Sequence, residues 1–307
     1  IIELDAAFEI GSAAAAALGQ TDPMIEIAIT PNRPDCLGVR GIARDLAAAG
    51  LGTLKPDPTQ LPPSTGQATP NIEVSGPVCS AFAGTLISGV TNRPSPAWLQ
   101  QRLRAIGLNP ISALVDITNY ISYDRGRPLH VYDADRLTGD VRARQAIAGE
   151  SFVALDEKTY ELTPEDCVIA DDAGVLGLAG IMGGLTSGST DDTVNVLVES
   201  AWFEPVAIAM SGRHHYIESD ARYRFERGVD RNAVSAGLDL AVQMIVDICG
   251  GTPHQAKTAG TLIGEAQELD FDPAKVASLT GLQLDEKDMQ RILQDLGFGV
   301  ETGATWK

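Results

Sequence analysis

Basic residues, aromatic residues and cysteines are all scarce in this sequence. Among its 307 residues, 23 are Lys or Arg and 41 are Asp or Glu, which gives a formal net charge of −18. Because phosphate contacts need clustered Lys and Arg, this balance excludes binding of nucleic acid through one broad basic face, and any RNA contact must be local. Phe, Trp and Tyr make up 5% of the chain, so the cores are expected to consist mainly of aliphatic side chains.

Cysteine spacing and hydropathy exclude several further classes. The four cysteines, Cys36, Cys79, Cys167 and Cys249, lie far apart, with no C-x-x-C pair and no histidine at zinc-ligand spacing. Neither a disulfide framework nor a metal site is expected. There is no signal-peptide pattern and no run of about 18 apolar residues, so we expect no membrane partner and a cytoplasmic location. Because position 1 is isoleucine, we expect an internal segment of a longer chain.

Prolines mark the first domain boundary. The stretch 55–70 reads KPDPTQLPPSTGQATP and has one large apolar residue, Leu61, which is too little burial to offset the cost of ordering the chain. We interpret it as an extended linker. Before it, residues 25–29 alternate as in a strand, and residues 39–46 carry the apolar stripe of a helix that ends at Gly50.

The remainder of the chain mixes strand and helix patterns. Residues 111–198 form short apolar stretches separated by Gly, Asp and Thr, which is typical of a sheet-rich domain with hairpins. Residues 231–248 carry an apolar helical stripe that ends at two glycines, and short helices are predicted at 273–280 and 285–296. The expected fold class is α+β and multidomain: a sheet-rich central domain with flanking helices, followed by a truncated winged-helix-like domain.

Five segments, in order along the chain, resemble one known family. They are IEIAITPNRPDCLGVRGIARDLAA (25–48), LVDITNYISYDRGRPLHVYDADRL (114–137), LGLAGIMGGLTSG (176–188), VLVESAWFEPVAIA (196–209) and DARYRFERGVD (220–230). Together they resemble the beta subunit of bacterial phenylalanyl-tRNA synthetase, in the part that contains its editing module. Five motifs in a fixed order are far more specific than any one of them.

The resemblance implies an organisation and a function. It implies a portion of a split N-terminal domain (1–54), a linker (55–70), an editing and tRNA-binding domain (71–258) and a truncated winged-helix-like domain (265–307). The implied activity is post-transfer editing, the hydrolysis of mischarged Tyr-tRNA(Phe) with release of tyrosine. The rival interpretation is a non-catalytic assembly and tRNA-orienting module of the same synthetase.

The same resemblance implies partners and cofactors. An alpha subunit in an alpha2-beta2 heterotetramer and tRNA(Phe) are the implied partners. Aminoacylation belongs to the alpha subunit in this family, so ATP and Mg²⁺ are implied for the complete synthetase and no cofactor for this segment.

A site that separates tyrosine from phenylalanine must detect a phenolic hydroxyl. Glu199 is a suitable hydrogen-bond acceptor, since it lies between two apolar runs where a carboxylate needs a partner. The resemblance places this residue in the amino-acid pocket. The glycine-rich stretch 174–188 lets backbone approach a ligand, and we select Gly180 as an amide donor and Ala179 as the wall of a narrow ring slot. This stretch lacks the spacing of phosphate-binding loops.

Hydrolysis of an aminoacyl ester needs chiefly a positioned water and a stabilised oxyanion. The resemblance places Thr118, Asn119 and His130 on the other wall of the pocket. Thr118 and Asn119 are assigned to the ester end and the water, and His130 to positioning of substrate or water. Without the resemblance, His130 would be interpreted as a structural histidine with its hydrogen bonds satisfied, as most lone histidines are.

Two arginines are candidate tRNA contacts. Arg222 and Arg224 alternate with aromatic residues, which predicts a strand with both arginines on one face. The alternative is that they pair with acidic groups of this chain, and the sequence does not decide between the two. The sequence also departs from the family wording, with Arg127 and Tyr132 where Gln and Phe are expected.

Overall fold

The computed structural model describes residues 8–18, 21, 23–57, 59–66, 68–264, 266–303 and 305–307. Three predictions fall partly outside these residues: positions 1–7, 19, 20 and 22 of the N-terminal portion, linker residues 58 and 67, and residues 265 and 304 of the predicted C-terminal domain.

Helices and strands alternate along the described chain, as an α+β class requires. The helices are α1 Ala14–Ala17, α2 Val39–Ala48, α3 Ala97–Ala105, α4 Ala113–Arg125, α5 Pro205–His214, α6 Asp220–Phe225, α7 Val234–Cys249, α8 Val276–Thr280 and α9 Glu286–Asp295. The strands are β1 Ile72–Val74, β2 Cys79–Ser88, β3 His130–Asp133, β4 Val141–Gln145, β5 Ser151–Val153, β6 Thr159–Glu161, β7 Cys167–Ala170, β8 Val175–Leu178, β9 Met182–Gly183, β10 Asn195–Phe203, β11 Thr252–Pro253 and β12 Lys257–Gly260.

Two sheets organise the middle of the chain. The central sheet has the strand order β11-β2-β10-β3, with β12 also paired to β2, and its strands are antiparallel. The outer sheet has the order β1-β4-β7-β8-β9, in which β1 and β4 run parallel and the other neighbours antiparallel. Strands β5 and β6 form a separate hairpin.

The central sheet is buried on both faces, and each face has its own core. Successive side chains of a strand point to opposite faces, so Leu197 of β10 packs with Val168 and Leu178 of the outer sheet. Its neighbours Val196 and Val198 pack instead in the core that contains the inward residues of α3, α4 and α7. This sandwich of sheet, sheet and helices confirms the α+β prediction.

Helix α7 follows the predicted stripe. Leu238, Ala241 and Ile245 are at most 2% exposed and pack in the helical core. The helix ends at Cys249, and Gly250 has a positive φ of 71°. Residues Arg231–Cys249 also have the length and apolar character of a membrane span. A helix that packs in a protein core can have the same length and apolar character, and the apolar stripe of α7 is buried in the helical core.

One local prediction was wrong and another was incomplete. Residues 25–29 are not a strand, and Ile25 and Ile27 are 75% and 49% exposed. A strand needs a hydrogen-bonded neighbour, and none of the described strands pairs with this segment. The stretch predicted as sheet-rich also contains the 13-residue helix α4, where Leu114, Ile117 and Ile121 recur at helical spacing and pack in the helical core.

The linker and the C-terminal segment both form hydrogen bonds with distant parts of the chain. Within 55–70, the described residues form neither helix nor strand, and the amide of Thr65 donates to the carbonyl of Pro253 at 2.9 Å. Near the C-terminus, Arg291 of α9 donates to the carbonyl of Ala48 at 3.2 Å. The predicted domain boundaries, including the winged-helix-like domain, stay predictions.

Candidate functional site

A small cavity of about 190 Å³ lies between the two sheets. Strand β3 contributes His130 and Tyr132, strand β10 contributes Glu199, and the glycine-rich segment 177–183 forms the opposite wall. This volume is below the roughly 300 to 1,000 Å³ of pockets for drug-sized ligands. It is therefore suited to one amino-acid side chain and not to a nucleotide.

Strand register brings the polar residues of the cavity together. Glu199 pairs directly with His130 across the antiparallel β10–β3 ladder, and directly opposed residues present their side chains on the same face. Tyr132 lies two residues after His130 and shares that face. All three side chains therefore point toward the outer sheet.

Glu199 is an acidic side chain in an apolar interior, and it is 7% exposed. Burial raises the pKa of its carboxyl group to about 7, and the hydrogen bond from Tyr132 acts in the opposite direction. The Tyr132 hydroxyl donates to Oε2 of Glu199. Among the described residues, no hydrogen bond reaches Oε1, and this atom is not among the fully enclosed polar atoms. Oε1 is therefore available to a ligand.

His130 is the second polar group of the cavity. Burial lowers the pKa of its imidazole to about 4, so the ring is neutral near pH 7. Its Nε2 atom is enclosed and has no hydrogen-bond partner in the described part of the chain. The ring lies edge-on to Tyr132, with centroids 4.5 Å apart. The other ring nitrogen, Nδ1, also makes no hydrogen bond among the described residues and is not fully enclosed, so it can hydrogen-bond a substrate or a water.

Gly180 lies in the glycine-rich wall of the cavity. Its neighbours are committed to the fold: the Ala179 amide donates to Cys167 O at 2.9 Å and the Ile181 amide to Leu178 O at 3.1 Å. The amide of Gly180 makes no hydrogen bond among the described residues. Ala179 is buried, at 2% exposure, and lines the same cavity.

Gly180 is required for two physical reasons. Its φ is +68°, and a Cβ atom there would lie 2.9 Å from the ring of Phe203 and 3.2 Å from that of Phe225. We expect Gly180→Ala to lower the free energy of unfolding by roughly 2 to 4 kcal/mol, the sum of a left-handed backbone cost and overpacking. Urea unfolding measures this.

Gly107→Ala is the matched control for Gly180→Ala. Gly107 has φ +84° but no atom within 4 Å of the added Cβ, so it should lose only the backbone contribution of roughly 1 to 2 kcal/mol. Equal losses in the two variants would contradict close packing around Gly180.

Thr118 and Asn119 do not line this cavity. Both lie on α4, whose apolar residues pack against the opposite face of the central sheet. Thr118 is buried, and its hydroxyl donates to the carbonyl of Val115 at 2.9 Å. The structure thus brings Glu199, Gly180, Ala179 and His130 together, and the roles given to Thr118 and Asn119 stay predictions.

The strand predicted around Arg222 and Arg224 is wrong, because these residues lie on helix α6. Arg222 donates to Glu226 at 3.0 Å and to the carbonyl of Ile217 at 2.6 Å. Arg224 is 5% exposed and lies over the ring of Tyr123, 4.2 Å from its centroid. Both guanidinium groups therefore have partners within the chain, which favours the structural alternative over a tRNA contact.

Sequence reasoning missed the part played by Tyr132. Its position two residues after His130 was a usable signal, because that spacing places both on one face of a strand. The other departure from the family wording, Arg127, is buried behind the site, with its guanidinium donating to the carbonyl of Ala201 at 2.8 Å. Burial lowers the pKa of Arg127 to about 10.

Two larger clefts lie elsewhere on the chain, with volumes of about 860 and 640 Å³. The larger one is lined by arginines and aspartates that pair with one another, including Arg44 with Asp35 and Arg125 with Asp57. The small cavity is the better candidate, because its polar atoms still have bonding capacity.

Comparison with known proteins places the cavity in a defined domain. The B3/4 domain family matches residues 78–250, a span that includes every cavity residue named above. The beta subunit of phenylalanine–tRNA ligase from Bradyrhizobium diazoefficiens is 50% identical over 303 residues, which is 97% of this chain and 37% of that protein. The corresponding subunit from Mesorhizobium japonicum is 48% identical over 299 residues, again 97% of this chain and 37% of that protein.

The chain thus spans a little over a third of the length of the curated relatives it matches. A solved N-terminal fragment of the phenylalanyl-tRNA synthetase beta-subunit from Pyrococcus horikoshii aligns with 91% of this chain and 79% of its own, at 16% identity and a TM-score of 0.44. The chain therefore belongs to the B3/4 domain family, and relatives that match nearly its whole length are beta subunits of phenylalanine–tRNA ligase.

Proposed function

We propose that the cavity is the editing site of a phenylalanine–tRNA ligase and hydrolyses tyrosine from mischarged Tyr-tRNA(Phe). One observation carries the proposal: a buried carboxylate with a free oxygen, Oε1 of Glu199, lines the same small apolar cavity as the free amide of Gly180. A phenolic hydroxyl can both donate and accept. It therefore satisfies both groups at once, whereas the ring of phenylalanine satisfies neither.

Selectivity follows from the cost of leaving buried polar groups unpaired. A hydrogen bond to a charged acceptor contributes about 1.5 to 3 kcal/mol, which is about a tenfold to hundredfold preference. Phenylalanine in the cavity would separate Glu199 from solvent without replacing that bond. The cavity therefore favours tyrosine because phenylalanine, which has nearly the same shape, leaves the buried polar groups without a hydrogen-bond partner.

The ester bond needs a positioned water. His130 lines the cavity, and its Nδ1 atom is neither hydrogen-bonded among the described residues nor fully enclosed. We propose that Nδ1 hydrogen-bonds this water or the substrate. A group with a pKa near 4 is a weak base near pH 7, so its proposed part is positioning. Thr118 and Asn119 are proposed to bind the ester end, which requires the substrate to pass the edge of the central sheet at β3, because α4 lies on the face opposite the cavity.

The complete ligase is proposed to contain partners and cofactors that act away from this cavity. These are an alpha subunit in an alpha2-beta2 assembly, tRNA(Phe), and ATP with Mg²⁺ for aminoacylation, in the cytoplasm. The described residues include one group with metal-ligand geometry, Asp35, Cys36 and Asp45. It does not fit Mg²⁺, because Arg33 and Arg44 pair with both carboxylates and magnesium prefers free oxygen ligands.

Deacylation of the two esters tests the proposal. The assembled ligase should hydrolyse Tyr-tRNA(Phe) at least about tenfold faster than Phe-tRNA(Phe) at equal concentrations, which corresponds to one charge-assisted hydrogen bond. Radiolabelled tyrosine and phenylalanine released from the tRNA give both rates, with spontaneous hydrolysis subtracted. Equal rates would leave the non-catalytic assembly and tRNA-orienting module as the function of this segment.

A further inference from the structure

We propose that Tyr132 is a positioning residue of the tyrosine sieve: its hydroxyl holds Oε2 of Glu199, so that Oε1 faces the cavity as the acceptor for the substrate's para-hydroxyl. This inference rests on the proposed function. The inference adds a role for the protein's own phenol, that of Tyr132, which orients the Glu199 carboxylate to bind the phenol of the substrate.

The geometry fixes Tyr132 tightly. Its side chain is 2% exposed, and its hydroxyl has one partner among the described residues, Oε2 of Glu199. Its backbone is paired on two sides, with Leu197 in β10 and with Gly188 through an isolated bridge. The hydroxyl therefore has a defined position before any ligand enters.

Glu199 depends on this one donor. A carboxylate has two oxygens and about four acceptor sites, yet among the described residues the only hydrogen bond to the Glu199 carboxylate comes from Tyr132. An unconstrained carboxylate would rotate about its terminal torsion, which has broad minima. A fixed Oε2 removes that freedom and leaves Oε1 directed to the cavity. The carboxylate therefore has its binding orientation before the substrate binds.

The other titratable groups around Glu199 stay neutral near pH 7. Burial lowers the pKa of His130 on β3 to about 4 and raises that of Cys167 on β7 to about 12. Burial also raises the pKa of Cys79 on β2 and of Tyr132 itself. Glu199 is thus the group of this cluster whose charge changes near neutral pH.

Tyr132 acts on that charge. A hydrogen bond to the ionised form of an acid favours ionisation, and the bond from Tyr132 lowers the pKa of Glu199 against the effect of burial. Loss of the hydroxyl must therefore raise this pKa and leave more of the carboxyl group protonated at neutral pH. A neutral carboxyl forms a weaker hydrogen bond with a phenol than a carboxylate does.

The experiment measures the ratio of Tyr-tRNA(Phe) to Phe-tRNA(Phe) deacylation by the assembled ligase from pH 6 to 8.5. In the unaltered enzyme the ratio should rise with pH as Glu199 ionises. In Tyr132→Phe the midpoint of this rise should move up by about half a pH unit or more, and the ratio at pH 7 should fall about threefold to tenfold.

Tyr160→Phe is the matched control, because it removes a hydroxyl that also donates to a carboxylate. The Tyr160 hydroxyl donates to Oδ2 of Asp156 at 2.8 Å, and Tyr160 does not line the cavity. The midpoint should not move in this variant. Charging of tRNA with phenylalanine, measured in parallel, reports assembly of each variant enzyme.

A double-mutant cycle separates positioning from a general structural role. If Tyr132 acts through Glu199, then Tyr132→Phe should not alter the ratio in a Glu199→Ala background, which has no side-chain acceptor for Tyr132 to position, although each substitution alone lowers it. Where Tyr132→Phe does not fold, 3-fluorotyrosine at position 132 replaces it. This analogue keeps the ring in place, donates more strongly, and should move the midpoint to lower pH.

The outcomes distinguish the two hypotheses. A tyrosine preference whose pH midpoint is unchanged by both substitutions at position 132 overturns the role of Tyr132 and leaves the editing proposal standing. A ratio that increases in Tyr132→Phe at every pH also overturns it, since Tyr132 would then compete with the substrate. A ratio near one in the unaltered enzyme overturns the editing proposal itself.

Discussion

Glutamine in place of Glu199 is expected to reduce the preference for Tyr-tRNA(Phe) over Phe-tRNA(Phe) by about tenfold to a hundredfold, because an amide NH2 group, which cannot accept a hydrogen bond, replaces the carboxylate oxygen that faces the cavity. Glutamine keeps the size of the side chain and a carbonyl that accepts from Tyr132, so the cavity keeps its shape. The loss should fall mainly on the rate with the tyrosyl ester. Deacylation rates for both esters at pH 7.5 measure it.

Glu161→Gln is the control for that substitution. Glu161 is exposed on β6, and its neutralisation removes the same charge from the same domain without touching the cavity. Accumulation of Tyr-tRNA(Phe) during charging gives a second measurement, which should increase with Glu199→Gln and remain unchanged with Glu161→Gln. An unaltered tyrosine preference in Glu199→Gln would show that this carboxylate does not recognise the phenol.

Glu199→Gln is also expected to stabilise the folded protein at neutral and basic pH. The folded-state pKa of Glu199, about 7, is raised above the ordinary value of 4.5. For an acid whose pKa is raised by folding, the stability is fully present below the unfolded pKa and decreases as the pH rises toward the folded pKa. This difference corresponds to about 3 kcal/mol of folding free energy lost between roughly pH 4.5 and pH 7.

Glutamine has no such titration, so the difference in unfolding free energy between the variant and the unaltered protein should grow from near zero at pH 4.5 to about 3 kcal/mol at pH 8. Urea unfolding at several pH values, followed by tryptophan fluorescence, measures this difference. Groups whose pKa is lowered by pairing, such as Asp57 with Arg125, affect both proteins equally and cancel. Parallel pH profiles would contradict a buried carboxylate at position 199.

The two predictions for Glu199 describe one compromise. The carboxylate is costly to keep charged in an apolar interior, and the same burial strengthens its hydrogen bond to a phenol, because a low local dielectric strengthens such bonds. A residue selected for stability alone would be neutral here. The proposed role of the Glu199 carboxylate is to distinguish two substrates that differ by one oxygen atom.

Local patterns in the sequence correctly predicted elements whose stability depends on their own periodicity. The stripe of α7 and the glycine that ends it are examples, and so is α9, which lies within the helix predicted at 285–296 and is capped by Asp285. The same reasoning failed at residues 25–29, because alternation gives a strand only where another strand completes its hydrogen bonds. It also missed α4 inside a segment whose glycines and polar residues are typical of hairpins.

The sequence by itself determined the family, through the order of its motifs, and four residues of the candidate site: Glu199, Gly180, Ala179 and His130. Only the tertiary structure decided that Tyr132 holds the carboxylate, that Thr118 and Asn119 lie on a helix behind the central sheet, and that Arg222 and Arg224 are paired within the chain. Periodicity fixes the face of an element on which a side chain lies. Strand register and the packing of layers fix which distant side chain it meets, and Tyr132 and Glu199 are 67 positions apart.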